Sequence, residues 1–188
     1  EDHPMTLHPS HVAIGENEYV ETLGLERDAV EPGLVIEHRP GFAFDLAEAR
    51  YRSALAGDHA PVSVDPAFAA LAGGGAPAIA QTWVLTAVVA ATTRAFGRVV
   101  ANLAWENVRF PGPVHDGDFV LVTSTILGKR NSASRPEQGI LHVRTVAATR
   151  TGTEVCSFER RLLVYRGPSA RTGPPATPER LGAAAPFA

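Results

Sequence analysis

The sequence has a single cysteine in 188 residues. That excludes an intramolecular disulfide framework and any zinc site built from several cysteines, and it fits a reducing, cytoplasmic setting. Excess positive charge is also missing. Against 17 Lys and Arg stand 20 Asp and Glu, a net charge of −3, so the chain lacks the basic surplus with which proteins neutralise a nucleic-acid backbone. The opening residues, Glu1-Asp2-His3-Pro4, are acidic and lead into no apolar core, unlike a secretion signal. No apolar run is both long and uninterrupted. The longest, Ala76 to Phe96, is broken by Gln81, Thr82, Thr86, Thr92, Thr93 and Arg94. It is rich in Ala and Val, so a buried helix is expected there and not a membrane span. What the chain does have is 45% apolar and 20% charged residues, the balance of a folded domain with its own core.

The expected organisation is an N-terminal extension over residues 1–30, one domain over 31–166, and a Gly/Pro/Ala-rich C-terminal tail over 167–188. The extension carries His3, His8 and His11. They form no i, i+4 pair and have no matching carboxylate, so a solvated arm is expected, not a metal site. In the domain, Leu34 to His38 reads as a strand stopped by Pro40-Gly41. Asp45, with Glu48 three residues on, caps a helix that ends at Gly57. Asp58 to Val64 reads as a loop. Asp65-Pro66 opens a short second helix, and Pro77 to Phe96 is a long helix, apolar on nearly every side and so expected to be enclosed. Four strands follow, Val99 to Phe110, Phe119 to Gly128, Gly139 to Thr149 and Glu154 to Tyr165, separated by Gly- and Pro-bearing turns. The fold class is therefore α+β, an antiparallel sheet wrapped around one long central helix.

Three places draw chemical attention. Asp58 follows a helix-ending glycine and precedes the turn fixed by Pro61. On spacing alone it reads more readily as a turn cap than as a catalytic group. Gln81 and Thr82 stand at the start of the long helix, where unbonded backbone N–H groups could polarise a carbonyl oxygen. Every helix has such an end. In the stretch Asn102 to Phe110, Trp105 beside Glu106 reads as packing and solvent exposure, and Cys156 as a buried core thiol.

At these residues the sequence resembles the MaoC family of hot-dog-fold hydratases and dehydratases, closest to its mesaconyl-CoA and itaconyl-CoA hydratase branch. The resemblance covers about Glu31 to Arg166. It rests on His38-Arg39-Pro40-Gly41; on Asn102-Leu103-Ala104-Trp105-Glu106-Asn107-Val108-Arg109-Phe110 with Pro113-Val114 and Gly117-Asp118; on Lys129 to Ile140, similar to a KR-x-S-x-SRP-x-x-GI pattern; and on Val155 to Tyr165. It implies a single hot-dog domain that pairs with another, as a homodimer or a hetero-oligomer with a different hot-dog chain. It also implies an acyl thioester, of CoA or a carrier protein, as substrate, and no metal or redox cofactor.

The family's catalytic segment is D-x-N-P-x-H. Carried over, its Asp falls on Asp58, its Pro on Pro61, its Asn on Ala60 and its His on Ser63. A serine hydroxyl is not ionised near neutral pH and can only orient water. Gln81-Thr82 stands where the family usually has His-Gly or Asn-Ser, and Thr82 keeps the backbone N–H that would hold the thioester oxygen. The resemblance thus implies a hydro-lyase that adds water to an enoyl thioester, with a second carboxyl group on the acyl chain as one option. Asp58 would move the proton, and Ser63 and His59 would position water. Arg135, in the Ser-Arg-Pro block, would meet a phosphate or a substrate carboxylate, or else hold its loop. Two other readings stay open: altered chemistry on the same thioester, isomerisation or hydrolysis, and a non-catalytic subunit that shapes the pocket of a complete partner.

Overall fold

A computed structural model of the chain describes residues 24–72 and 75–167, and the backbone of 11–15 and 18–21. The histidines of the expected N-terminal arm and the tail over 168–188 lie outside the described side chains. In chain order the elements are β1 (His11–Gly15), β2 (Glu18–Glu21), a 3₁₀ turn (Arg27–Ala29), β3 (Val35–Ala43), α1 (Leu46–Leu55), α2 (Pro61–Val64), α3 (Pro66–Leu71), α4 (Gln81–Ala91), α5 (Thr93–Phe96), β4 (Val99–Arg109), β5 (Phe119–Asn131), β6 (Gln138–Thr149) and β7 (Glu154–Tyr165).

β1 and β2 make a separate two-stranded ribbon. The other five strands form one sheet in the order β3-β5-β6-β7-β4, antiparallel throughout. Their side chains alternate as the sequence does. Val120, Val122, Ser124 and Ile126 of β5 face inward, as do Leu141, Val143, Thr145 and Ala147 of β6. α4 lies on this inner face and buries Val84 and Val88, one turn apart, as a 3.6-residue period requires. Each fully buried valine contributes roughly 1.5–3 kcal/mol by leaving water.

The core divides into two apolar clusters. One gathers Phe44, Val84, Val88, Val114, Val122 and Phe158; the other gathers Val30, Ile36, Phe96, Ile126, Leu141 and Leu162. Buried polar residues lie between the apolar positions of both along the chain. His38 Nε2 meets Ser124 Oγ at 2.8 Å, Ser124 meets Thr145 Oγ1 at 2.8 Å, and Arg160 donates to Thr92 Oγ1 at 3.0 Å.

Several expectations change in the structure. The long helix begins at Gln81 and not at Pro77, and it breaks at Thr92 into α4 and α5. The Thr92 hydroxyl donates to the Val89 carbonyl at 2.7 Å, a side-chain-to-backbone bond that competes with the regular ladder. Nor is α4 enclosed by the described residues of the chain. The sheet covers one face, while Gln81, Thr82, Thr86 and Ala90 are exposed. Pro40-Gly41 does not stop β3, which runs on to Ala43 through an irregularity between His38 and Phe42. The Asp58 to Val64 segment is not all loop, because Pro61 opens the single turn α2. Residues 24–30 pack on the domain: the Gly24 and Leu25 amides donate to the carbonyls of Arg94 and Ala95, and Val30 is buried. Gly24 has φ +81° and lies so close to Arg98 that a Cβ would sit 2.6 Å from its backbone nitrogen, so only glycine fits there. Among the described residues no helix is long and apolar enough to cross a membrane.

Candidate active site

The site is built where α1 ends. Asp45 caps α1 by accepting from the Glu48 amide at 2.6 Å. At the other end the Gly57 amide bonds to the Ala54 carbonyl, and the Asp58 amide to the Ser53 carbonyl at 2.8 Å, with Gly57 at φ +72°. These two bonds are the Schellman pattern, and they fix the backbone of Asp58 against the last turn of α1. Pro61 then starts α2, whose Ser63 is buried. The Arg50 guanidinium reaches the Ser63 and Val64 carbonyls at 3.4 and 3.5 Å and ties α2 back to α1. The segment before α4 is fixed by the Ile79 amide donating to the Val114 carbonyl at 2.7 Å.

These constraints bring Asp58 to the first turn of α4. The Thr82 hydroxyl donates to Asp58 Oδ2, and the Ala60 amide donates to Oδ1 at 3.2 Å. The carboxylate thus spans α2 and α4, with one further lone pair free on each oxygen. It opens onto a cavity of about 550 Å³ whose polar wall is Asp58, Ser63, Gln81 and Thr82. The rest of the wall is largely apolar, with Ile79, Val84, Phe110, Val114 and Val155. The first N–H groups of α4 have no intrahelical acceptor, and Gln81 and Thr82, which carry them, are on this wall.

Four of the seven site residues expected from the sequence therefore meet: Asp58, Ser63, Gln81 and Thr82. The other three do not join them. His59 is exposed and outside the cavity wall, as is Pro61, whose part is to start α2. Arg135 lies in the turn between β5 and β6, at the far end of the sheet, where it donates to Gln138 Oε1 at 3.3 Å. Sequence reading missed the Thr82 hydroxyl, having credited only its backbone N–H. Its partner is 24 residues away, beyond the reach of any local pattern.

One further cluster and the lone cysteine are structural. Glu106, His142 and Glu159 lie within 4.8 Å of one another on the sheet. Arg161 already holds both oxygens of Glu106, while His142 and Asn107 hold Glu159, so the group is a hydrogen-bonded network. Cys156 is fully buried, and burial pushes its thiol up to about 11, as expected for a core residue without nucleophilic character.

A family model described as "MaoC like domain" matches residues 30–149, well over half of the chain. The chain belongs to the MaoC-like domain family. The matched span holds the whole of this MaoC-like site except Val155, but it stops short of β7, which sits inside the sheet between β6 and β4. Among curated proteins, the mesaconyl-CoA hydratase of Cereibacter sphaeroides is 33% identical over 87 residues, 46% of this chain and 25% of that protein. Among solved structures, a MaoC domain protein of Chloroflexus aurantiacus J-10-fl superposes with TM-score 0.74 at 21% identity, covering 81% of this chain and 43% of the other. A conserved protein of Mycobacterium tuberculosis with a double hot-dog fold gives 0.71 at 24% identity, covering 80% and 47%. These likenesses establish the hot-dog architecture. The MaoC-like chain spans a quarter of the curated relative and less than half of each of these two structures.

Proposed function

We propose that this chain hydrates the double bond of an enoyl thioester, carried by CoA or a carrier protein, and catalyses the reverse dehydration. The observation that carries this reading is the Asp58 carboxylate, held by the Thr82 hydroxyl and the Ala60 amide beside the first N–H groups of α4, on one wall of a largely apolar cavity. In the hydration direction the thioester oxygen accepts from an N–H at the start of α4. A water on Asp58, oriented by the Ser63 hydroxyl, adds its oxygen to the β-carbon as Asp58 takes its proton. The enolate charge that develops rests on the helix N–H and the positive end of the helix dipole. Asp58 then returns the proton to the α-carbon. Atoms and charge balance with Asp58 as the one proton carrier, and no redox or metal cofactor takes part. Ser63 stands where the family resemblance places a His, so a single acid/base group serves both halves of the addition.

The exposed side of α4 and the edge strand β4, with Val100, Leu103, Trp105 and Val108 at the surface, suit pairing with a second hot-dog domain, which would complete the cavity. A second reading follows from Ser63 itself: without the His, the chain binds the thioester but leaves turnover to its partner.

The test is incubation of the purified chain with crotonyl-CoA and mesaconyl-CoA, followed by mass and by loss of enoyl absorbance. Hydration appears as a gain of 18 Da. In Asp58→Asn it falls by a factor of about 10²–10⁴, the usual contribution of a general base. Binding without any gain of mass would favour the partner reading. Release of free thiol from a saturated acyl-CoA would favour thioester hydrolysis.

A further inference from the structure

We infer that the outer face of the sheet, at the end of β4, holds a phosphate group of the arm that carries the thioester. This rests on the enoyl-thioester reading and adds to it a set of side chains outside the catalytic cavity. A second cavity of about 480 Å³ opens there, with Asn107, Arg109, Arg144, Glu154, Ser157 and Glu159 on its wall. Pro111 belongs to this wall and to the wall of the Asp58 cavity, so the two spaces meet around the end of β4.

The strand is built to bring Arg109 to this place. Glu106 pairs with Glu159, but the next partners are Arg109 and Ser157, so three residues of β4 span two of β7. Regular pairing would put Val108 opposite Ser157. The extra residue is a bulge, which re-aims the side chains that follow it. Asn107 lies within it at φ +54°, a left-handed conformation that Asn tolerates better than most residues. On the other side of β7, Arg144 of β6 pairs with Glu159. Arg144 stands between the inward-facing Val143 and Thr145, so it points outward. Two guanidinium groups therefore flank β7 on one face.

Both arginines are exposed, and neither makes a hydrogen bond or ion pair among the described residues. Ser157 is 4% exposed, and its hydroxyl has no partner among the described residues. Glu159 does not neutralise the pair, because its oxygens accept from Asn107 at 3.1 Å and meet His142 Nε2 at 2.7 Å. Two guanidinium groups and a hydroxyl thus stand against one free carboxylate, that of Glu154. Guanidinium groups bind phosphate through paired N–H donors. The thioesters of CoA and of a carrier protein both sit on a phosphopantetheine arm, which is uncharged up to its phosphate. With the acyl group beside Asp58, the arm leaves the cavity past Pro111 and its phosphate arrives at Arg109 and Arg144. A second hot-dog domain added at the β4 edge would bond to the backbone of the strand, in the plane of the sheet, and leave this outer face open.

The experiment uses three saturated thioesters, which cannot be hydrated. Butanoyl-pantetheine has no phosphate, butanoyl-4′-phosphopantetheine has the one that CoA and a carrier protein share, and butanoyl-CoA adds the nucleotide phosphates. Their dissociation constants for the full chain are measured by calorimetry, for the wild type, Arg109→Gln and Arg144→Gln. Phosphate is expected to tighten binding to the wild type about 100-fold, and each substitution to remove about 10-fold of that, the range for a hydrogen bond to a charged group. The affinity for butanoyl-pantetheine should not change. A gain that arrives with the 4′-phosphate supports the inference for both carriers. A gain that arrives only with butanoyl-CoA, and falls in both variants, supports it with the nucleotide phosphates as the group bound. Equal affinities of the three thioesters, or a phosphate gain that neither substitution lowers, would overturn the inference and leave the hydratase reading standing. Failure of all three to bind would remove both together.

Discussion

Asp58 is reached by three independent devices: the Schellman turn that fixes its backbone, the Ala60 amide on one carboxylate oxygen and the Thr82 hydroxyl on the other. Of these, only the first was legible in the sequence, because Gly57 marks a helix end by its own chemistry. The Thr82 contact crosses from the loop after α1 to α4, and nothing near Thr82 in the chain announces it. For the same reason His59 and Arg135 read well and are placed elsewhere: adjacency to Asp58, or membership of a charged block, does not determine where a side chain is carried. The Thr82 contact makes a prediction at this scale. Thr82→Val keeps the shape and the backbone N–H but removes the donor to Asp58, while Thr82→Ser restores it. With crotonyl-CoA, kcat is expected to fall about 10-fold or more in the Val variant, in the range of a lost hydrogen bond to a charged group, with KM little changed. The Ser variant should recover most of the loss. Equal damage from both variants, or a change in KM alone, would mean that Thr82 serves packing and not the carboxylate.

At the scale of elements, the last four strands were legible in the sequence, though β5 runs three residues past the expected Gly128; the inward-outward alternation is plainest in β5, where Val120, Val122, Ser124 and Ile126 are buried. β6 begins at Gln138 and β7 spans Glu154–Tyr165, within a residue of expectation. The long helix was harder. An apolar run fixes that a segment is buried but not where it breaks, and at the break Arg160 from β7 donates to the Thr92 hydroxyl. Arg160 is buried beside the rings of Phe96, Trp105 and Phe158, at 5.3–5.5 Å, with Nε lacking any partner. Burial lowers its ordinary value to about 10. The cation is desolvated without a carboxylate among the described residues to offset the cost, so its value to the fold is its volume and its bond to Thr92 more than its charge. Arg160→Ala is expected to destabilise by about 2–5 kcal/mol, the range for large-to-small changes in a core. Arg160→Met, which fills most of the space, should be close to neutral or stabilising. Urea unfolding of both variants checks this, and a Met variant as damaged as the Ala variant would show that the charge itself supports the α4–α5 junction.

Across the whole molecule, the sequence conveyed one sheet and one principal helix but not that the core is divided by buried polar groups. Ser124, Thr145 and Arg160 each stand at inward positions of strands whose neighbours on both sides are apolar. A single polar residue in an alternating run reads as noise until the partner strands are aligned. His38 completes this band at 5% exposure, bonded to Ser124, with the Phe96 ring 6.0 Å away. Burial first, and the nearby positive charge of Arg160 second, push its pKa down from 6.5 to about 4. The native state therefore holds His38 neutral where the unfolded chain would protonate it. Between about pH 6.5 and pH 4 the unfolded state binds more protons, so stability rises with pH across that window and is lost as pH falls through it. A depression of this size corresponds to about 3 kcal/mol, a large part of the 5–15 kcal/mol typical of a domain. The effect belongs to the whole fold, because His38 comes from β3, Ser124 from β5 and Arg160 from β7. His38→Gln keeps a polar group facing Ser124 but cannot take up a proton, and every other titrating group is common to the two proteins. Urea unfolding at pH 7 and at pH 4.5 should show the wild type losing about 2–3 kcal/mol more than His38→Gln. Parallel losses in the two proteins would mean that His38 is protonated in the native state at ordinary cost, and that the band around it tolerates a second cation beside Arg160.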